Sequence, residues 1–173
     1  MAGASHYILP LPVFDRPVKL LFVVAPYYRD ICDDLVAGAR ARAEACGALV
    51  DLVEVPGALE VPTAIALAER QEKYDGYVAL GCVIRGETTH YDTVCNDSAR
   101  AISMLGLQGA CIGNGILTVE NHAQAVVRAS LADHDKGGSA AAAALHLIAL
   151  SRGWSGPRKE VGFQVSPRAR SDR

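Results

Sequence analysis

The stretch YVALGCVIRGETTHYD, residues 77–92, joins an apolar run directly to a polar one. A short, continuous apolar run such as 77–84 is typical of a strand that is covered on both faces of a sheet. The polar half holds Gly86 and then two threonines, which suit the start of a helix. We therefore predict a buried strand that leads through a polar turn into a helix ending near Leu105.

The same alternation of strand and helix recurs along the chain. Strands are predicted over 18–25, 48–55 and 109–113, and helices over 30–46, from about Pro62 to Lys73, within 117–132 and over 139–153. Such alternation implies right-handed crossovers and a parallel sheet. We predict a three-layer, flavodoxin-like α/β fold, with a central four-stranded parallel sheet flanked by helices on both faces.

The domain boundaries follow from composition. Residues 18–153 are predicted to form a single domain, and residues 1–17 a proline-containing extension that is not helical. Residues 154–173 are basic and poor in apolar side chains, which predicts a partly disordered tail.

Composition also limits the function classes. The formal net charge is −2, without a basic stripe, and no apolar stretch approaches the ~20 residues of a membrane span. We therefore expect no nucleic-acid partner and no membrane partner. The five cysteines form no C-x-x-C pair, which favours reduced thiols and a cytoplasmic protein. No acid or second histidine at metal-ligand spacing accompanies His6, His122, His134 or His146, so we expect no metal site.

Polar stretches follow the predicted strands, namely PYYRD, PGALE, RGETTH and NGILTVEN. Because ligands of open α/β sheets bind outside the carboxyl ends of the strands, these stretches are the candidate site. In RGETTH, backbone N–H groups at a helix start could hold an anion beside His90, which could move protons. A plain helix cap with a surface histidine explains the same residues equally well.

The other stretches leave similar alternatives. Tyr27 or Tyr28 could stack on a planar ring or pack on its neighbours, and Glu60 could accept ligand hydrogen bonds or favour a helix start. Arg128 and Lys136 could clamp a phosphate or be solvated charges. The G-x-G at 113–115 has no third glycine, so it is a weak dinucleotide signal.

Three runs together carry a resemblance. VPGALEVP (55–62), ALGCVIRGETTHYDTVCN (79–96) and GNGILTVENHAQA (113–125) resemble lumazine synthase in order and separation, and the likeness extends from about Lys19 to Arg152. The resemblance implies condensation of 5-amino-6-(D-ribitylamino)uracil with 3,4-dihydroxy-2-butanone 4-phosphate to 6,7-dimethyl-8-ribityllumazine, phosphate and water. It implies no cofactor and no metal.

The resemblance also assigns site residues. Proton transfer falls on His90, and phosphate binding on Gly86, Glu87, Thr88 and Arg128. Binding of the pyrimidine and its ribityl chain falls on Tyr27, Ala58, Leu59, Glu60, Cys82, Val83, Ile84, Asn114 and Lys136. The family builds each site between subunits of a pentamer, and Asn114 is the position across that boundary.

Some positions depart from the family pattern. Leu59 and Asn114 replace frequent phenylalanines, and the turn SLADHDKGG (130–138) differs from the glycine-rich turn of capsid-forming members. We therefore expect a pentamer or a pair of pentamers rather than a sixty-subunit shell. A non-catalytic carrier of lumazine or riboflavin on the same scaffold is an alternative, and a nucleotide-binding flavodoxin-like module is a weaker one.

Overall fold

The computed structural model describes residues 7–155. Its elements in chain order are β1 (Lys19–Ala25), α1 (Arg29–Ala45), β2 (Leu49–Glu54), α2 (Glu60–Glu69), β3 (Gly76–Ile84), α3 (His90–Leu107), β4 (Ile112–Val119), α4 (His122–Ala129) and α5 (Lys136–Trp154). Residues 7–18 contain no helix or strand. The predicted disorder of the tail concerns residues that lie almost entirely outside the described range.

The four strands form one parallel sheet in the order β2-β1-β3-β4. Side chains of β1 alternate between two cores. Leu20, Phe22 and Val24 pack with α1, α4 and α5, whereas Leu21, Val23 and Ala25 pack with α2 and α3. This arrangement confirms the predicted three-layer α/β fold, because burial of both sheet faces requires helices on both sides.

The carboxyl edge of this sheet is stepped. Ala25, the last residue of β1, pairs with Gly81, and β3 then continues through Cys82, Val83 and Ile84. These three residues pair on one side only, with Leu117, Thr118 and Val119 of β4. Their other side therefore faces a recess beyond the end of β1.

The predicted position of the fourth strand was wrong. The strand covers Ile112–Val119 rather than 109–113, so NGILTV belongs to the strand and Asn114 lies opposite Ala79 within it. Gly113 and Gly115 were assigned to the polar stretch after the strand, but in the structure they allow close packing between β4 and α5. A methyl group on Gly113 would overlap the carbonyl oxygen of Ala140, and one on Gly115 would lie 3.0 Å from the Ala140 Cβ.

Helix boundaries differ from the predictions by a few residues. Helix α5 begins at Lys136 rather than 139, because Asp135 caps it by accepting a hydrogen bond from the Gly138 N–H at 3.0 Å. Helix α2 ends at Glu69 rather than Lys73, and the chain beyond it reverses at Glu72, whose φ is 52°. None of the helices within residues 7–155 combines the length and apolar character needed to cross a membrane.

Candidate active site

A cavity of about 580 Å³ lies in the recess beyond β1. It is bounded by the carboxyl ends of β1, β2 and β3 and by the first turn of α3. Its lining consists of Ala25, Tyr27, Tyr28, Pro56, Gly57, Ala58, Leu59, Glu60, Cys82, Val83, Ile84, Gly86, Thr88, His90, Tyr91 and Val94. The volume suits a small organic ligand.

The β3 extension forms an apolar, uncharged wall. Burial raises the pKa of the Cys82 thiol to about 12, and burial likewise raises the pKa of the Cys32 thiol to about 11. The Cys32 thiol also donates to the Ala25 carbonyl at 3.3 Å. Because only a thiolate is a strong nucleophile, Cys82 contributes shape rather than chemistry.

The two tyrosines after β1 differ in environment. Their rings meet edge to face, with centroids 5.0 Å apart. Tyr28 packs against the buried core, and burial raises its pKa, whereas the Tyr27 side chain is 77% exposed. Tyr28 thus supports Tyr27, whose free ring face is suited to stack on a planar ligand.

The PGALE turn (56–60) brings the Glu60 carboxylate to the cavity. Glu60 is the first residue of α2, and its N–H donates to the Gly57 carbonyl at 3.2 Å. A methyl group on Gly57 would lie 3.0 Å from the Glu60 Oε2, so the carboxylate lies over the turn. Within residues 7–155 the carboxylate accepts no hydrogen bond, which leaves it available to a ligand. Glu60 therefore satisfies both interpretations, as a helix-start acid and as part of the cavity.

The GETT turn presents unused donors at the start of α3. The backbone N–H groups of Gly86, Glu87 and Thr88 have no acceptor within the described part of the chain, and the cap residue Thr89 makes no side-chain cap bond. The Thr88 hydroxyl oxygen accepts only a long bond, 3.4 Å, from the His90 N–H. A methyl group on Gly86 would meet no atom within 4 Å. Free donors and open space at a helix N-terminus suit an anion.

His90 is the first residue of α3 and lines the cavity beside Thr88. Its side chain is exposed, and the imidazole makes no hydrogen bond within residues 7–155. An unengaged imidazole next to donors that suit an anion could exchange protons with a bound ligand.

Four predicted residues lie elsewhere. Glu87, Asn114, Arg128 and Lys136 do not line this cavity. The Asn114 Oδ1 accepts from the Ile116 N–H at 3.0 Å within β4, Arg128 donates to the Gln124 carbonyl at 3.1 Å on α4, and Lys136 begins α5. Asn114 lies within β4 rather than in a polar stretch after it, because the strand extends past this residue; its position across a subunit boundary stays a prediction.

Other lining residues were missed from the sequence. Tyr91 and Val94 follow His90 on α3, and Val94 lies one helical turn beyond it, a spacing that could have identified it. Pro56 and Gly57 lie in the candidate stretch PGALE but were given no role of their own. Across residues 7–155, no three His, Cys, Asp or Glu side chains converge in a way that could hold a metal ion.

Comparisons with known proteins identify the family. The model of the family described as 6,7-dimethyl-8-ribityllumazine synthase matches residues 17–152. A 6,7-dimethyl-8-ribityllumazine synthase of Jannaschia sp. (strain CCS1) is 54% identical over 164 residues, which cover 95% of this chain and 92% of the relative. The proteins of that name from Novosphingobium aromaticivorans and, numbered 1, from Rhizobium meliloti are 57% and 51% identical, each over 79% of this chain and over 99% and 94% of their own lengths. The chain belongs to the 6,7-dimethyl-8-ribityllumazine synthase family.

Proposed function

We propose that the protein condenses 5-amino-6-(D-ribitylamino)uracil with 3,4-dihydroxy-2-butanone 4-phosphate, releasing phosphate, water and 6,7-dimethyl-8-ribityllumazine. It is a transferase of riboflavin biosynthesis. The observation that carries this proposal is the stepped sheet edge, which places free helix-start donors and His90 beside an apolar cavity. The identity of 51–57% to proteins named as this enzyme supports it.

The phosphate of the butanone substrate binds at the GETT turn. The N–H groups of Gly86, Glu87 and Thr88 donate to its oxygens, and the α3 dipole adds a favourable field. Because this anchor fixes one end of the substrate, its ketone carbon is directed into the cavity, toward the second substrate.

The pyrimidine occupies the space between Tyr27 and the β3 extension. The Tyr27 ring stacks on the heterocycle, and the Glu60 carboxylate accepts hydrogen bonds from ligand hydroxyl or N–H groups. The wall at Cys82, Val83 and Ile84 closes the other side. Both substrates are thus held together, and proximity supplies most of the acceleration.

Bond changes then proceed with proton transfer by His90. The 5-amino group attacks the ketone carbon to form an imine and release water. Elimination expels the phosphate, the resulting enol tautomerises to a ketone, and the second nitrogen attacks that carbonyl carbon and closes the ring with loss of a second water. Each of these steps moves a proton, and His90 is the exposed, unengaged base beside the phosphate end.

The assembly completes the site. Arg128, Lys136 and Asn114 do not line the cavity of their own chain, and we assign them to the cavity of a neighbouring subunit in a pentamer or a pair of pentamers. Arg128 then closes over the phosphate. The partly exposed apolar side chains of β2, Leu49, Leu52 and Val53, also favour a covered edge. We place the protein in the cytoplasm, where its five free cysteines stay reduced.

Replacing His90 by alanine tests the chemistry. The variant should form lumazine about 10- to 100-fold more slowly, since a positioned acid–base group contributes about 10²–10⁴-fold and this condensation also runs slowly unaided. Its mass under native conditions should match that of the wild type. An unaltered rate would remove His90 from the mechanism.

A further inference from the structure

Arg85 links the cavity wall to the helix that carries His90. It directly follows β3, and its N–H donates to the Val119 carbonyl at 2.9 Å. Its guanidinium contacts three partners: the Nε donates to the Glu120 Oε2 at 2.8 Å, one terminal nitrogen donates to the Asp92 Oδ1 at 3.3 Å, and the central carbon lies 4.1 Å from the centroid of the Tyr91 ring.

These contacts hold the first turn of α3 from the side. Tyr91 and Asp92 immediately follow His90, so Arg85 ties that turn to Glu120, directly after β4. The GETT turn is therefore fixed at both ends, by the Arg85 backbone before it and the Arg85 side chain after it. A planar guanidinium can do this because its donors point in fixed directions and its face stacks on an aromatic ring.

Charge gives Arg85 a second effect. Asp92 lies in the first turn of α3, next to the donors that suit an anion, and Glu120 lies beyond the paired ends of β3 and β4. Two carboxylates there would repel an incoming phosphate. The Arg85 guanidinium lies between them at hydrogen-bond distance and offsets this repulsion, although solvent reduces each pair because the Arg85 side chain is 40% exposed.

We infer that Arg85 is a positioning residue. It aligns the GETT turn and His90 with the phosphate end of the substrate, and it neutralises the carboxylates of Asp92 and Glu120. The role rests on the proposed function. Arg85 does not line the cavity, so it acts through the turn and the helix rather than by touching the substrate.

The experiment compares Arg85→Met, Arg85→Lys and a matched control, Arg100→Met. Arg100 lies within α3, pairs with Asp97 at 3.4 Å, and does not line the cavity. Each protein is assayed for lumazine formation and titrated with inorganic phosphate, and the mass of its oligomer is measured under native conditions.

For Arg85→Met we expect about a tenfold higher KM for the butanone phosphate, about tenfold weaker phosphate binding and a KM for the pyrimidine within about twofold of wild type. Arg85→Lys should recover part of the phosphate affinity, because the charge returns, whereas kcat should be below the wild-type value in both Arg85 variants, because neither restores the planar fork that aligns the turn and His90. The control should match the wild type.

Wild-type phosphate affinity and kinetics in Arg85→Met would overturn the inference, as would equal losses toward both substrates. If Arg85→Met does not fold, the phosphate titration of Arg85→Lys decides: weaker binding than wild type supports the role, and unchanged binding overturns it. A wild-type protein without turnover would overturn the proposed function alone, since the phosphate titrations still test Arg85.

Discussion

Gly86→Ala should change protein stability and phosphate binding in opposite directions. A methyl group at Gly86 would meet no protein atom within 4 Å, and the backbone there is not in the left-handed region. The folded structure therefore does not require glycine at position 86. Replacing glycine by alanine at such a site stabilises a protein by about 0.4–1 kcal/mol, because the unfolded chain loses freedom.

Phosphate binding should change in the opposite direction. A methyl group placed beside free N–H donors occupies space that a bound phosphate needs. Loss of one hydrogen bond to a charged group costs about 1.5–3 kcal/mol, and about 1.4 kcal/mol is a factor of ten in affinity. Because the turn is exposed to solvent, we expect the lower end of this range, about a tenfold increase in the KM of the butanone phosphate.

The assay combines urea unfolding with lumazine formation at varied concentrations of each substrate. Gly106→Ala is the matched control, since a methyl there also meets no atom within 4 Å and Gly106 lies on α3 outside the cavity lining. Both variants should be at least as stable as the wild type, and only Gly86→Ala should bind the phosphate substrate more weakly. An unchanged KM in Gly86→Ala would refute phosphate binding at this turn.

Four further outcomes follow from the packing and the site. Gly113→Ala should lower the free energy of unfolding by at least about 3 kcal/mol in urea titrations, because its methyl would overlap the Ala140 backbone; a loss below about 1 kcal/mol would contradict that packing. Glu60→Gln should lower the free energy of unfolding by no more than about 1 kcal/mol, because a helix-start charge is lost, and should raise the KM of the pyrimidine about tenfold. A raised KM of the phosphate substrate alone would instead place Glu60 at the phosphate. Cys32 and Cys82 should react slowly with a thiol reagent near about pH 8 and rapidly after unfolding, since burial raises their pKa values to about 11 and about 12 and leaves little thiolate; rapid reaction of the native protein would show that the wall is open. The same raised pKa values make the free energy of unfolding fall as pH rises above the ordinary thiol value, 9.0, because the unfolded chain then releases protons that the native chain retains.

The local signals in the sequence were enough to predict β3 and the turn after it. The apolar run 77–84 ends at Arg85, and the polar residues that follow suit either a helix cap or an anion-binding turn. The alternation of strands and helices then predicted the parallel sheet. Most of the candidate residues meet in one cavity because they follow strands whose carboxyl ends share an edge.

Features that depend on tertiary contacts were not predictable in this way. Gly113 and Gly115 resemble loop residues until Ala140 is seen packed against them. The recess depends on the register that ends β1 opposite Gly81, which no local pattern encodes. The contacts of Arg85 join three separate segments, so its role emerges only from the folded chain.

We propose above that the two substrates condense with each other in this cavity. The most direct test is to mix purified wild-type protein with ribitylaminouracil and butanone phosphate, and to follow lumazine fluorescence and released phosphate together. We expect both products to appear in equal amounts and well above the rate of the unaided reaction. Formation of neither product above that rate would contradict it.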